Sequence, residues 1–188
     1  AALSHPNIVP IHAAAERDGV VYFVMGYVNG RSTAEVVHGT GPLDVAASVA
    51  VVRQIAAGLE VAHARGVVHR DIKAENVLVD AAGRVSITDF GIARVAEVQP
   101  LTAPGTVLGS VHYMSPEQVT GDVIDGRSDL YALGVLWFYL LGARFPFERP
   151  TSSAILVAHV NSTPASLAQI APHVPSDVVK LIDALLAK

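Results

Sequence analysis

The sequence predicts an α+β chain in which a few short strands lead into a mostly helical body. Three observations carry this. Two β-branched apolar runs, IVPIHAAA and VVYFVMGYV, flank the tight turn Arg17-Asp18-Gly19, which is how a hairpin reads in sequence. Apolar residues then recur at helical spacing through Val45, Val49, Val52, Ile55, Leu59 and Ala62. Later, Leu130 to Leu141 is apolar without a break.

The elements follow in order. After the hairpin, GRSTAEVVHG is expected to form a short helix. GPLD opens a long one, with Asp44 as its N-cap and Gly66 closing it. Three short extended pieces are expected next: VVH, NVLVD, and RVSITDF beyond the turn Ala81-Ala82-Gly83. From Gly91 to about Ser115 no periodicity is visible, so a long loop is expected, and such loops usually carry function. The remainder reads as helices over 127–142, roughly 151–160 and roughly 176–187.

Composition narrows the function classes. The 188 residues are 51% hydrophobic and 16% charged, enough apolar content for one domain with a real core. A net charge of -4 gives no basic footprint for nucleic acid. The absence of cysteine excludes disulfides and thiolate metal sites, and it suits a reducing cytoplasm. The eight histidines show no metal-ligand spacing. The apolar run LYALGVLWFYLL is about a dozen residues against the ~20 that a membrane span requires, so a buried core helix is expected and no membrane contact. The chain starts without Met and stops inside a helical pattern at LIDALLAK. Both ends are expected to be cuts in something longer.

The chemistry concentrates in HRDIKAENVL, residues 69–78. Asp71, Lys73 and Asn76 lie in a short loop between two extended pieces, and Asp89-Phe90-Gly91 ends a later strand. The strand-turn-strand between them is expected to return Asp89 beside Asn76. An aspartate with an asparagine supplies hard oxygen ligands of low total charge, which suits Mg²⁺ with phosphate oxygens. Asp71 is then placed to accept a hydroxyl proton, and Lys73 to neutralise a phosphoryl group in transfer.

These residues resemble a known family. HRDIKAENVL, then DFG, SPE at 115–117 and RSDLYALG at 127–134 are similar to the motifs of eukaryotic-type (Hanks-type) serine/threonine protein kinases. SPEQ and RSDLYALG point to bacterial members. LSHPNIV at 3–9 resembles the stretch after the family's regulatory helix, and YFVMGYV at 22–28 resembles its hinge. The resemblance covers essentially the whole chain. It implies a kinase-like fold in which residues 1–28 are the last N-lobe hairpin with the hinge, and 29–188 are a helical C-lobe incomplete at its end.

The resemblance also implies roles. Asp71 is the catalytic base and Lys73 the phosphate stabiliser. Asn76 and Asp89 hold Mg²⁺, with Mn²⁺ as an alternative. Met25 is the gatekeeper, Tyr27 and Val28 offer backbone hydrogen bonds to the adenine of ATP, and Leu78 packs beneath it. Ile11, His69 and Phe90, followed by Gly91, belong to the column linking the lobes, and Asp129 anchors the backbone around His69 and Arg70. Arg70 is expected to receive a phosphate on Thr102 or Thr106. Ser110 bridges Asp71 and Lys73 where the family has threonine, Ala74 replaces a frequent proline, and Gly26 a common hinge glutamate.

The implied function is transfer of the ATP γ-phosphate to serine or threonine hydroxyls of protein substrates in cytoplasmic signalling, with a kinase dimer partner. The alternatives are a non-catalytic pseudokinase scaffold and a small-molecule phosphotransferase. The 188 residues contain no glycine-rich phosphate loop and no VAIK-type lysine. Little activity is therefore expected of this stretch alone. Glu117 is expected to lack an ion-pair partner, and the 20–28 hairpin to present an open, apolar sheet edge.

Overall fold

The computed structural model describes residues 3–90 and 110–188. Strands β1 (Ile11–Arg17) and β2 (Val20–Met25) form an antiparallel hairpin and a two-stranded sheet of their own. The two-residue turn has φ 54° at Asp18 and 78° at Gly19. Positive φ at both positions matches the right-handed twist of the flanking strands, which explains the Asp-Gly pair. Val20 and Val24 are 64% and 47% exposed, so this sheet buries little of its apolar surface within the described residues.

A second sheet has the order β3-β4-β5, all antiparallel, from Gly30–Ser32, Val77–Asp80 and Val85–Ile87. The first of these was expected to be the start of a helix. Instead the chain pairs with Leu78–Asp80 before turning helical at Thr33. Gly30 permits the pairing, because a Cβ there would lie 2.5 Å from the Val79 carbonyl oxygen. The expected extended piece VVH joins no strand; Val67 and Val68 lead from a helix end into the loop that follows.

Helix α1 (Thr33–Thr40) starts from a capping box. Ser32 Oγ accepts from Glu35 N at 3.1 Å, and the Glu35 carboxylate accepts from Ser32 N at 2.7 Å. Helix α2 (Val45–His63) is capped by Asp44, which accepts from Ala47 N at 2.8 Å. It closes as the sequence reading expected. Gly66, at φ 69°, donates to His63 O at 2.9 Å, and Val67 N donates to Ala62 O at 3.0 Å; together these make a Schellman closure. Among the described helices α2 is the one long and apolar enough, by length and composition, to cross a membrane. Here Ile55, Leu59 and Ala62 are fully buried against the rest of the core.

Helix α3 (Pro116–Thr120) follows a 3₁₀ turn at Ser110–His112, and neither was expected. Helix α4 (Gly126–Gly142) is the centre of the body. Residues on all its sides are buried, Val135, Leu136, Phe138 and Leu140 among them, which is why it reads as an unbroken apolar run. Its one indole is satisfied: Trp137 Nε1 donates to Ser48 Oγ on α2 at 3.1 Å. Helices α5 (Ser152–Asn161), α6 (Leu167–Ile170) and α7 (Ser176–Leu185) surround it.

Helices α4 and α7 meet at Gly134, where an added Cβ would stand 2.7 Å from Leu185 Cβ. Gly134→Ala is therefore expected to destabilise the chain by about 1–3 kcal/mol through overpacking, despite alanine's better helix propensity. Urea unfolding measures this, and an unchanged or raised midpoint would show that α7 yields without cost.

Candidate active site

The loop 69–76 has little regular structure of its own, and a buried carboxylate on α4 holds it. Asp129 is 1% exposed. Its Oδ2 accepts from His69 N at 2.8 Å, and its Oδ1 from Arg70 N at 2.8 Å. His63, at the end of α2, adds a third bond from Nε2 to Oδ2 at 2.7 Å. A buried charge with three donors is satisfied rather than costly. Because a carboxylate only accepts, Nε2 of His63 carries the proton. The ring is wedged against the start of α4: a Cβ on Gly126 would lie 2.8 Å from His63 Nδ1.

His69 is fully buried and edge-on to Phe90, with ring centroids 4.5 Å apart. Its Nε2 lies 2.8 Å from the Thr88 carbonyl, and Asp71 N donates to its Nδ1 at 3.2 Å. These partners require one donor and one acceptor nitrogen, so the imidazole is neutral. Burial, the largest influence, holds its pKa below the ordinary histidine value. The ring thus ties the 88–90 strand end to the backbone of Asp71.

Asp71, Lys73 and Asn76 converge. Lys73 Nζ sits 2.7 Å from Asp71 Oδ2. Asn76, at the end of a single 3₁₀ turn, donates through Nδ2 to Asp71 O at 2.9 Å and to Asp71 Oδ2 at 3.0 Å. The turn is held from α1, where Thr33 Oγ1 donates to Ala74 O at 2.9 Å. With both amide hydrogens committed, Asn76 Oδ1 is the atom that remains to meet a cation. Thr88 N donates to Asn76 O at 2.9 Å, which brings the β4 and β5 ends together and sets Asp89 one residue beyond. Two residues here hold positive φ without being glycine, Arg70 at 70° and Asp89 at 64°; such strain persists where surrounding bonds enforce it.

Among the described residues no group of three or more His, Cys, Asp or Glu could hold a metal. Mg²⁺ is a cation that binds few protein ligands and keeps waters or phosphate oxygens. Asn76 Oδ1 and the Asp89 carboxylate are the hard oxygens that suit Mg²⁺ in this way.

The residues expected to face a nucleotide lie on β2, just after it, and on β4. Met25 ends β2, and its sulfur takes a contact from Thr88 Oγ1 at 3.7 Å. The Tyr27 side chain is 90% exposed. Val28 O accepts from Gly30 N at 3.0 Å. Leu78 lies mid-strand, paired with Ser32 and Ser86.

Below the loop, Gln118 was not singled out from sequence. Its Nε2 donates to Arg70 O at 2.8 Å, while its Oε1 accepts from Ser115 N at 3.0 Å. Glu117, expected to lack an ion-pair partner, accepts a hydrogen bond from Ser128 Oγ. Gly91, Thr102 and Thr106 lie outside the described residues, as does the Ser110 side chain.

The protein kinase domain family model matches residues 1–188. The serine/threonine-protein kinase PrkC of Bacillus subtilis is 40% identical over 186 residues, covering 99% of this chain and 29% of that protein. The probable serine/threonine-protein kinase PknB of Lactococcus lactis is 37% identical over 188 residues, 100% of this chain and 30% of its own length. The serine/threonine-protein kinase PknD of Mycobacterium tuberculosis is 40% identical over 186 residues, covering 99% and 28%. The chain thus spans under a third of the length of these curated relatives.

The Asp129 anchor makes a direct prediction. Asp129→Ala leaves the His69 and Arg70 amides buried without an acceptor. It is expected to cost about 3–5 kcal/mol of unfolding free energy, the range for removing one partner of a buried charged network. A loss below about 1 kcal/mol, the worth of an ordinary hydrogen bond, would show that the loop holds itself.

Proposed function

This chain belongs to the protein kinase family, and from that premise we propose that its site transfers the ATP γ-phosphate to serine and threonine hydroxyls of proteins. The observation that carries the reading is the cluster in which Lys73 and Asn76 both bind Oδ2 of Asp71, at 2.7 and 3.0 Å. A carboxylate held this way has a fixed plane and a proton-accepting atom in a set position. The substrate hydroxyl gives its proton to Asp71 as its oxygen bonds to the γ-phosphorus, and the bond from that phosphorus to the β-phosphate bridging oxygen breaks. Lys73 counters the negative charge spread over the transferring group. Asn76 Oδ1 and Asp89 are the residues that hold Mg²⁺, which when bound neutralises phosphate charge. On this reading Met25, Tyr27, Val28 and Leu78 border the adenine, residues 1–28 supply the hairpin and hinge above it, and 29–188 form the helical lobe below.

The substrates are proteins, and the segment works in the ATP-containing cytoplasm. Asp71→Asn, assayed in the protein as its complete reading frame encodes it, is expected to lower kcat by about 10²–10⁴-fold, the span of general-base catalysis. Residues 1–188 alone are expected to turn over far more slowly than that protein, because no residue in them matches the lysine and glycine-rich loop that position phosphates in this family. Labelled-phosphate transfer measures both, with chelation of Mg²⁺ as the blank. Retained ATP binding with no transfer in any form would favour the scaffold reading instead.

Activation is part of the same proposal. Phosphate on Thr102 or Thr106 adds about -2 of charge and three acceptor oxygens for Arg70 to meet. Mass spectrometry of the active protein is expected to find one of these threonines modified; neither being modified counts against the role given to Arg70.

A further inference from the structure

The joint between the 3₁₀ turn Ser110–His112 and helix α5 is built around two histidines for which the proposed chemistry has no use. His159, on α5, is fully buried. Its Nδ1 lies 2.8 Å from the Tyr131 hydroxyl of α4, and its ring is edge-on to Phe147 with centroids 4.8 Å apart. Its Nε2 is buried with no hydrogen-bond partner. His112 stacks on Phe145 at 4.1 Å, and its buried Nδ1 likewise has no partner. A cation already stands against α5. Lys188 Nζ donates to Ala158 O at 2.8 Å and Ser162 O at 2.6 Å, and it lies 5.0 Å from the centre of the Phe147 ring.

The surrounding groups favour neutral rings at this joint. His159 faces the Tyr131 hydroxyl, the Val111 and His112 carbonyls, the His112 ring and the Lys188 ammonium. The carbonyls welcome a proton, but Lys188 and His112 oppose it. His112 faces the Phe147 carbonyl and the charges of Glu148 and Glu75. Burial outweighs these attractions at both rings. It holds His112 below the ordinary value and, with Lys188 and His112 adding repulsion, pushes His159 down to about 4.

We propose that His112 and His159 form an acid-released latch that fastens the 110–114 segment to helix α5. The latch acts on the site because the next residues, Tyr113 and Met114, line a small cavity together with Arg70, Asp71 and Gln118. Releasing His112 frees one wall beside Asp71. This regulatory consequence rests on the catalytic reading above, whereas the latch itself is measured without any activity.

The direction follows from the protonation states. In the closed joint His159 resists protonation, while in the open joint it titrates near the ordinary histidine value of about 6.5. Acid therefore adds protons to the open state first. The latch is fully stable above that value and is lost as pH falls from there toward about 4. Between neutral pH and about pH 5 the opening equilibrium rises roughly 20-fold from His159 alone.

Hydrogen exchange of the 188-residue chain, corrected for the intrinsic effect of pH, reads this out by segment. Exchange over 110–118 is expected to rise by roughly that 20-fold factor on acidification, while helix α2 stays protected. His159→Gln keeps a hydrogen-bonding partner for Tyr131 and takes no proton, so it flattens the response. If that variant does not fold, His112→Gln and an NMR titration of His159 in the unaltered chain decide. The expected results are a weakened pH response and a ring that resists protonation until the segment opens. The idea is overturned if 110–118 and α2 loosen together, if both glutamine variants respond like the parent, or if His159 protonates near its ordinary value while the segment stays protected.

Discussion

One buried carboxylate sets the geometry on which the site depends. Asp129 is buried at the start of a largely apolar helix, where an unpaired charge would cost several kcal/mol. Its three donors come from two places that share no other regular structure, the end of α2 and the loop at 69–70. Satisfying the charge and shaping the loop are therefore one event. The positive φ of Arg70 is tolerable because the backbone N–H groups of His69 and Arg70 are pinned to the same carboxylate. Asp71 follows directly, and its own amide is taken by the neutral ring of His69.

The charges of the loop are arranged with little excess. Asp71 meets Lys73, and the neighbour that binds both its side chain and its carbonyl is an amide rather than a second acid. A carboxylate at position 76 would set like charges against Asp71 and offer no donors to it. Asparagine supplies an oxygen for a cation while its nitrogen fastens Asp71. One side chain thus serves two sites of opposite need, and its amide orientation is fixed by the bonds it makes.

Features with local causes were legible in the sequence. The Asp-Gly turn, the Asp44 cap, the Gly66 closure and the apolar girth of α4 each arise from residues within a few positions of one another. The family motifs made the loop and the start of α4 stand out. What escaped was short or distant. Three residues of β3 show no period, and their pairing depends on a glycine that admits a carbonyl 49 residues further along the chain, at Val79. His63 looks like any histidine near a helix end, and its partner is 66 positions away. Gln118 reads as a capping residue, which it is; that its other end holds Arg70 follows only from the packing of α3 under the loop.

The wide separation between the loop and its anchor has a consequence for synthesis. His69 and Asp129 are 60 residues apart in sequence. On a ribosome adding about 5–20 residues per second, the HRD segment emerges several seconds before the helix that holds it. During that interval its amides have only water as partners, and nothing enforces the left-handed backbone at Arg70. The nascent chain therefore carries the chemical groups of the site without their arrangement. The arrangement arrives with α4, so the site is assembled late however early its residues are made.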